Sequence, residues 1–88
     1  MTAEEWKHQL HAQGFRNVYD WQDGPGTEYP EHSHLCETAH IILEGEMTIT
    51  MNGLACSYGP GDRFDVPAEA LHSARMGPAG CRYLVGEK

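Results

Sequence analysis

Gly26-Thr-Glu-Tyr-Pro-Glu-His32-Ser-His34-Leu-Cys-Glu-Thr-Ala-His40-Ile-Ile-Leu-Glu-Gly45 is the stretch on which the reading of this chain turns. At its centre stand His32 and His34, with one serine between them. In an extended strand alternate side chains share a face, so the two imidazoles point the same way and lie within reach of one metal ion. Neutral imidazole is a common ligand of divalent transition metals, which makes the pair a candidate metal site. His40 follows, then the strong β-formers Ile41 and Ile42, and a Glu44-Gly45 turn closes the run.

A second signal lies downstream. Gly61-Asp-Arg-Phe-Asp-Val-Pro67-Ala-Glu-Ala-Leu-His72 reads as a glycine turn, a short strand, a proline turn and a further histidine. Together the two stretches resemble the RmlC-like cupin superfamily, in its small single-domain form. The first cupin motif, G-x5-H-x-H-x3-E-x6-G, is matched by Gly26, His32, His34 and Gly45. The second, G-x5-P-x-G-x2-H-x3-N, is matched by Gly61, Pro67 and His72, and the resemblance covers roughly residues 24 to 78. Three positions depart from the pattern. Thr38 stands where the family places a metal-binding glutamate, Glu69 replaces a glycine, and Met76 replaces the final asparagine. The resemblance implies an all-β fold, a double-stranded β-helix or jelly-roll barrel, holding one divalent metal beside a small-molecule pocket.

The rest of the chain is compatible with that architecture. Thr2 followed by Glu5 is a capping box, Trp6 and Leu10 form an apolar stripe with Ala3, and Gly14 suits the residue past a helix end. Residues 1–14 are therefore expected as one helix on the outside of a barrel formed by residues 15–88, a single domain overall. His8 and His11 lie toward the helix's polar side and read as solvated surface groups. Asn17 to Trp21, Met47 to Met51, Leu54 to Tyr58 and Phe64 to Val66 read as short strands, and Asn52-Gly53 as a type I′ hairpin turn. His72 to Met76 and Cys81 to Val85 supply two more, separated by Gly77-Pro-Ala-Gly80. Seven or eight short strands with regular turn signals predict an antiparallel sandwich or barrel.

Composition bounds the partners. Eighty-eight residues bury only a modest core, so a homodimer is expected. A formal charge of −7 argues against nucleic acid and against an anionic membrane surface. No apolar run approaches the ~20 residues of a membrane span, and Met1 to Glu5 lacks the basic start of a signal peptide. Cys36, Cys56 and Cys81 are odd in number and show no CxxC spacing, which suits free thiols in a reducing cytoplasm.

For the site, His32, His34 and His72 are the expected ligands, with His72 delivered across the barrel by the Pro67 turn. Thr38 is a weak donor, so either waters complete the metal's shell or another residue fills in. Glu37 has the right chemistry but faces the other way along a strand. His40 shares the Thr38 face about 6.6 Å further on. It is a fourth ligand if residues 35–37 bend, and otherwise lines the pocket. Cys36 shares that parity and reads as a small hydrophobe. Tyr29, Met47 and Ile49 are expected to line the pocket with Thr38 and His40. Trp21, Phe64 and Met51 are assigned to pocket wall, core or dimer surface. Glu44, Glu46, Asp65 and Glu87 read as solvated charges.

The metal expected is one divalent transition ion, iron, zinc, manganese or nickel. Iron would suit oxygenation of a small chelating substrate, and zinc would suit hydrolytic or lyase chemistry; the resemblance also admits isomerases. The rival reading is a non-enzymatic module that binds a small molecule without a catalytic metal.

Overall fold

The computed structural model describes all 88 residues. Its elements are α1 (Ala3–Ala12), β1 (Asn17–Asp23), β2 (Glu28–His32), β3 (Thr38–Met51), β4 (Leu54–Tyr58), β5 (Arg63–Val66) and β6 (His72–Glu87). The capping box forms as expected: Glu5 N–H donates to Thr2 Oγ1 at 3.2 Å, and Thr2 N–H donates to Glu5 Oε1 at 2.9 Å. The helix lays Leu10 against Phe15, Ala39, Ile41 and Leu84, with Trp6 packed beside them.

Two long strands form the frame. β3 and β6 pair antiparallel from Thr38↔Glu87 to Met51↔His72. In one half of the molecule β1 adds to β6 and β5 to β3; in the other half β2 adds to β6 and β4 to β3. Each long strand thus passes from one half to the other, which is the all-β, double-stranded β-helix expected. Between the halves Ile42, Met47, Ile49, Phe64, Val66, Met76, Cys81, Tyr83 and Val85 form the inner core.

Six strands replace the seven or eight expected. The Glu44-Gly45 and Gly77–Gly80 stretches are bends within β3 and β6, where the pairing register shifts but does not end. Gly45 (φ 81°) and Gly80 (φ 77°) face one another there, and a Cβ on Gly45 would overlap the Gly80 carbonyl. Glycine gives a bulge the backbone freedom to kink while the ladder resumes on either side. Asn52 (φ 55°) and Gly53 (φ 76°) both adopt the positive φ that a type I′ hairpin requires. No helix is long and apolar enough to cross a membrane.

Candidate metal centre

One cavity of about 220 Å³ opens between the two halves. Strand parity explains its lining: Tyr19 and Trp21 from β1, Thr38, His40, Met47 and Ile49 from β3, and Tyr83, Val85 and Glu87 from β6. The alternate residues Leu84 and Ala39 turn to the helix side. His32, His34 and His72 lie at the same cavity, each offering a ring nitrogen within 4.8 Å of the other two.

The three histidines arrive by different routes. His32 ends β2 and pairs with His72, the first residue of β6. Their ring centroids are 4.3 Å apart. His34 lies beyond the end of β2, so strand alternation is not what brings it in. A hydrogen bond from Glu69 N–H to the His34 carbonyl, at 2.7 Å, ties its loop to the turn that precedes His72. Its ring then stands 4.9 Å from that of His32 and 5.2 Å from that of His72.

Two of the rings are fixed in orientation. His32 Nδ1 bonds the Pro30 carbonyl at 2.7 Å, and His72 Nδ1 bonds the Ala70 carbonyl at 2.9 Å. A carbonyl can only accept, so Nδ1 carries the proton and the Nε2 lone pair is free. Backbone carbonyls orient metal-binding histidines in this manner. His34 is held below its ordinary pKa by burial first, then by His32 and His72, with the Glu87 carboxylate opposing. Nitrogens placed tetrahedrally at ~2.1 Å from one zinc lie ~3.4 Å apart, so the trio, within 4.8 Å of one another, accommodates an ion by closing up to ~1.4 Å. The donor set and its geometry fit a divalent transition metal.

Thr38 and His40 both line the cavity, and neither joins the three converging ring nitrogens. Thr38 Oγ1 and His40 Nδ1 are sealed from solvent without a hydrogen-bond partner. His40 stacks on Phe64 at 4.6 Å and 7°. Burial, with smaller contributions from His72 and His34, brings its pKa down to about 4, so the ring is neutral near pH 7. Tyr29, Met47 and Ile49 line the cavity, as does Trp21; Phe64 is buried behind His40.

The other candidate residues stand outside the trio. Glu37 points away and pairs with Lys88 at 3.0 Å. Residues 33–37 leave the strand conformation, so Cys36 loses the parity assigned to it and is absent from the cavity wall. His8 is exposed, and His11 bonds the Phe15 carbonyl through Nδ1 at 3.0 Å. Glu87 is not simply a solvated charge: it lines the cavity two residues beyond Val85. Asp23 was legible only as part of a turn, yet its carboxylate accepts from Trp21 Nε1 (3.1 Å), Tyr29 OH (2.9 Å) and Tyr83 OH (2.7 Å). Burial first, and Asp23 second, push the Tyr29 and Tyr83 hydroxyls above the ordinary tyrosine pKa, so both rings are fixed, protonated walls.

The family model of the cupin domain matches residues 20–85. This chain belongs to the cupin family. Among curated relatives it is 30% identical over 63 residues to dimethylsulfoniopropionate lyase DddW of Ruegeria pomeroyi, covering 72% of this chain and 41% of that one. It is 36% identical over 58 residues to auxin-binding protein 5 of Zea mays, covering 64% of this chain and 38% of that one. The chain thus spans about two fifths of the length of these relatives. Among solved structures, DMSP lyase DddQ of Ruegeria pomeroyi superposes with a TM-score of 0.74 at 30% identity, covering 81% of this chain and 36% of that one.

The departures of this cupin from the family motifs have structural counterparts. Glu69, at the motif glycine, adopts φ 64°, the left-handed conformation that glycine takes freely. Met76, at the motif asparagine, is buried in the inner core.

Proposed function

We propose that this cupin binds one divalent transition metal through His32, His34 and His72 and acts with it on a small, partly apolar molecule in the adjacent cavity. The convergence of three imidazoles, two of them oriented by backbone carbonyls, carries this reading. When bound, the metal supplies a Lewis acid that polarises a substrate oxygen, or, if iron, the means to engage O₂. Met47, Ile49, Met76 and Val85 exclude water from the reacting end. The neutral His40 and Thr38 add uncharged side chains to the wall of the cavity. A cavity of about 220 Å³ is smaller than the ~300–1,000 Å³ of drug-sized sites, which supports a substrate of few heavy atoms.

Two reaction classes suit the arrangement, bond cleavage and oxygenation. The similarity to two proteins named as lyases supports cleavage as the first to test. Protein loaded with iron, zinc, manganese or nickel is assayed against dimethylsulfoniopropionate, β-diketones, α-keto acids and phenols, following both cleavage products and oxygen consumption. Metal-dependent turnover that disappears in His72→Ala is expected. Turnover that survives this substitution would not belong to the metal site. The similarity to an auxin-binding protein supports the second reading, a binding module without turnover. A ligand that binds equally well with and without metal would favour it.

A further inference from the structure

Three neutral imidazoles leave a divalent ion with its full charge. A cavity walled mostly by apolar side chains solvates that charge poorly, so the ion calls for an anion close by. Of the fifteen residues lining the cavity, Glu87 alone carries a carboxylate, and no lysine or arginine is among them. Glu87 is the direct cross-strand partner of Thr38, so its Cα lies about 5 Å from the position where the side chain is a neutral hydroxyl. Its carboxylate makes no hydrogen bond and no ion pair, whereas on the facing β3 Glu44 pairs with Arg82 and Glu46 is exposed outside the cavity.

The backbone around Glu87 is held on both sides. Arg16 N–H donates to the Glu87 carbonyl at 2.8 Å, and Lys88 N–H donates to the Glu37 carbonyl at 3.1 Å. Glu87 shares the cavity wall with His34 and Tyr19. We infer that Glu87 is the carboxylate that balances a metal held by the three histidines, standing on the cavity wall outside their converging nitrogens and across the β3–β6 pair from Thr38, which has no charge to offer. The role rests on the metal-binding reading above and assigns a specific residue to balance the ion.

The test is the metal affinity of the whole chain, read by competition of zinc and cobalt with a chelator. Glu87→Gln, which keeps the size and removes the charge, is expected to weaken binding by about 10–100-fold without changing stoichiometry. Glu87→Asp is expected to retain more affinity than Glu87→Gln. Thr38→Glu placed in the Glu87→Gln background is expected to recover the loss, because the two positions are neighbours across the sheet. Glu46→Gln, on an exposed residue outside the cavity, serves as the charge control and is expected to bind as the parent does. If Glu87→Gln binds like the parent while His72→Ala loses binding, the role of Glu87 is overturned and the metal site stands. If His72→Ala also binds like the parent, the metal site itself is overturned.

Discussion

Acidifying the metal-free protein should destabilise it through His40. The ring is stacked on Phe64, and its Nδ1 is sealed from water with no partner, so the imidazolium finds neither solvent nor a hydrogen-bond acceptor there. Burial is the main cause that brings its pKa from 6.5 to about 4. Between those values the unfolded chain binds a proton that the folded chain does not. Stability from this group is therefore complete above about pH 6.5, falls as the pH drops toward 4, and levels off below that. A gap of about 2.5 units at ~1.4 kcal/mol each makes roughly 3.5 kcal/mol in full, of which about 3 is lost by pH 4, where the folded ring is half protonated. At ~4–8 °C per kcal/mol for a domain of this size, that corresponds to a fall in Tm of about 12–24 °C. The assay is urea unfolding of chelator-treated protein across this range, beside His40→Phe, which keeps a stacking ring and removes the titrating group. Groups common to both proteins cancel in the comparison. The parent should lose roughly 3 kcal/mol more than the variant on going from neutral pH to about 4. Parallel stability curves would refute the reasoning.

Other perturbations give further outcomes. Glu69→Gly should raise the free energy of urea unfolding by up to about 1 kcal/mol, because a left-handed non-glycine residue costs roughly 1–2 kcal/mol and glycine's entropy takes back about half; unchanged or lower stability would count against this. Gly45→Ala should cost at least about 2 kcal/mol, since it sets a Cβ against the Gly80 carbonyl at positive φ; near-parental stability would mean the β3–β6 crossing is looser than described. Only 18 of 88 residues are buried, Trp21, Leu35 and Leu71 stay exposed, and β1 leaves one edge unpaired, so a homodimer is expected. Sedimentation showing a stable monomer at micromolar concentration would contradict it.

What could be read from the sequence was what local rules determine. The Thr2–Glu5 cap, the Asn52-Gly53 hairpin and the alternation of Met47, Ile49 and Met51 need only a few neighbouring residues, and each is visible in the letters. The proximity of His72 to His32 and His34 followed from motif spacing. The long strands were hidden because glycine marks a turn and a bulge alike; at Gly45 the outcome depends on Gly80, thirty-five residues away. His34 reaches the site by a loop contact with Glu69, not by strand parity. The Asp23 cluster joins residues some sixty positions apart, beyond any local pattern. Glu87 shares the parity of Tyr83 and Val85, but without the register of β6 nothing shows which parity faces inward.

Metal stoichiometry tests the central claim most directly. Protein purified without an affinity tag is submitted to elemental analysis, then stripped with chelator and titrated with zinc, iron, manganese and nickel. The three converging imidazoles predict close to one divalent metal per chain, with uptake lost in His72→Ala. Well-folded protein that takes up none of the four metals would contradict it.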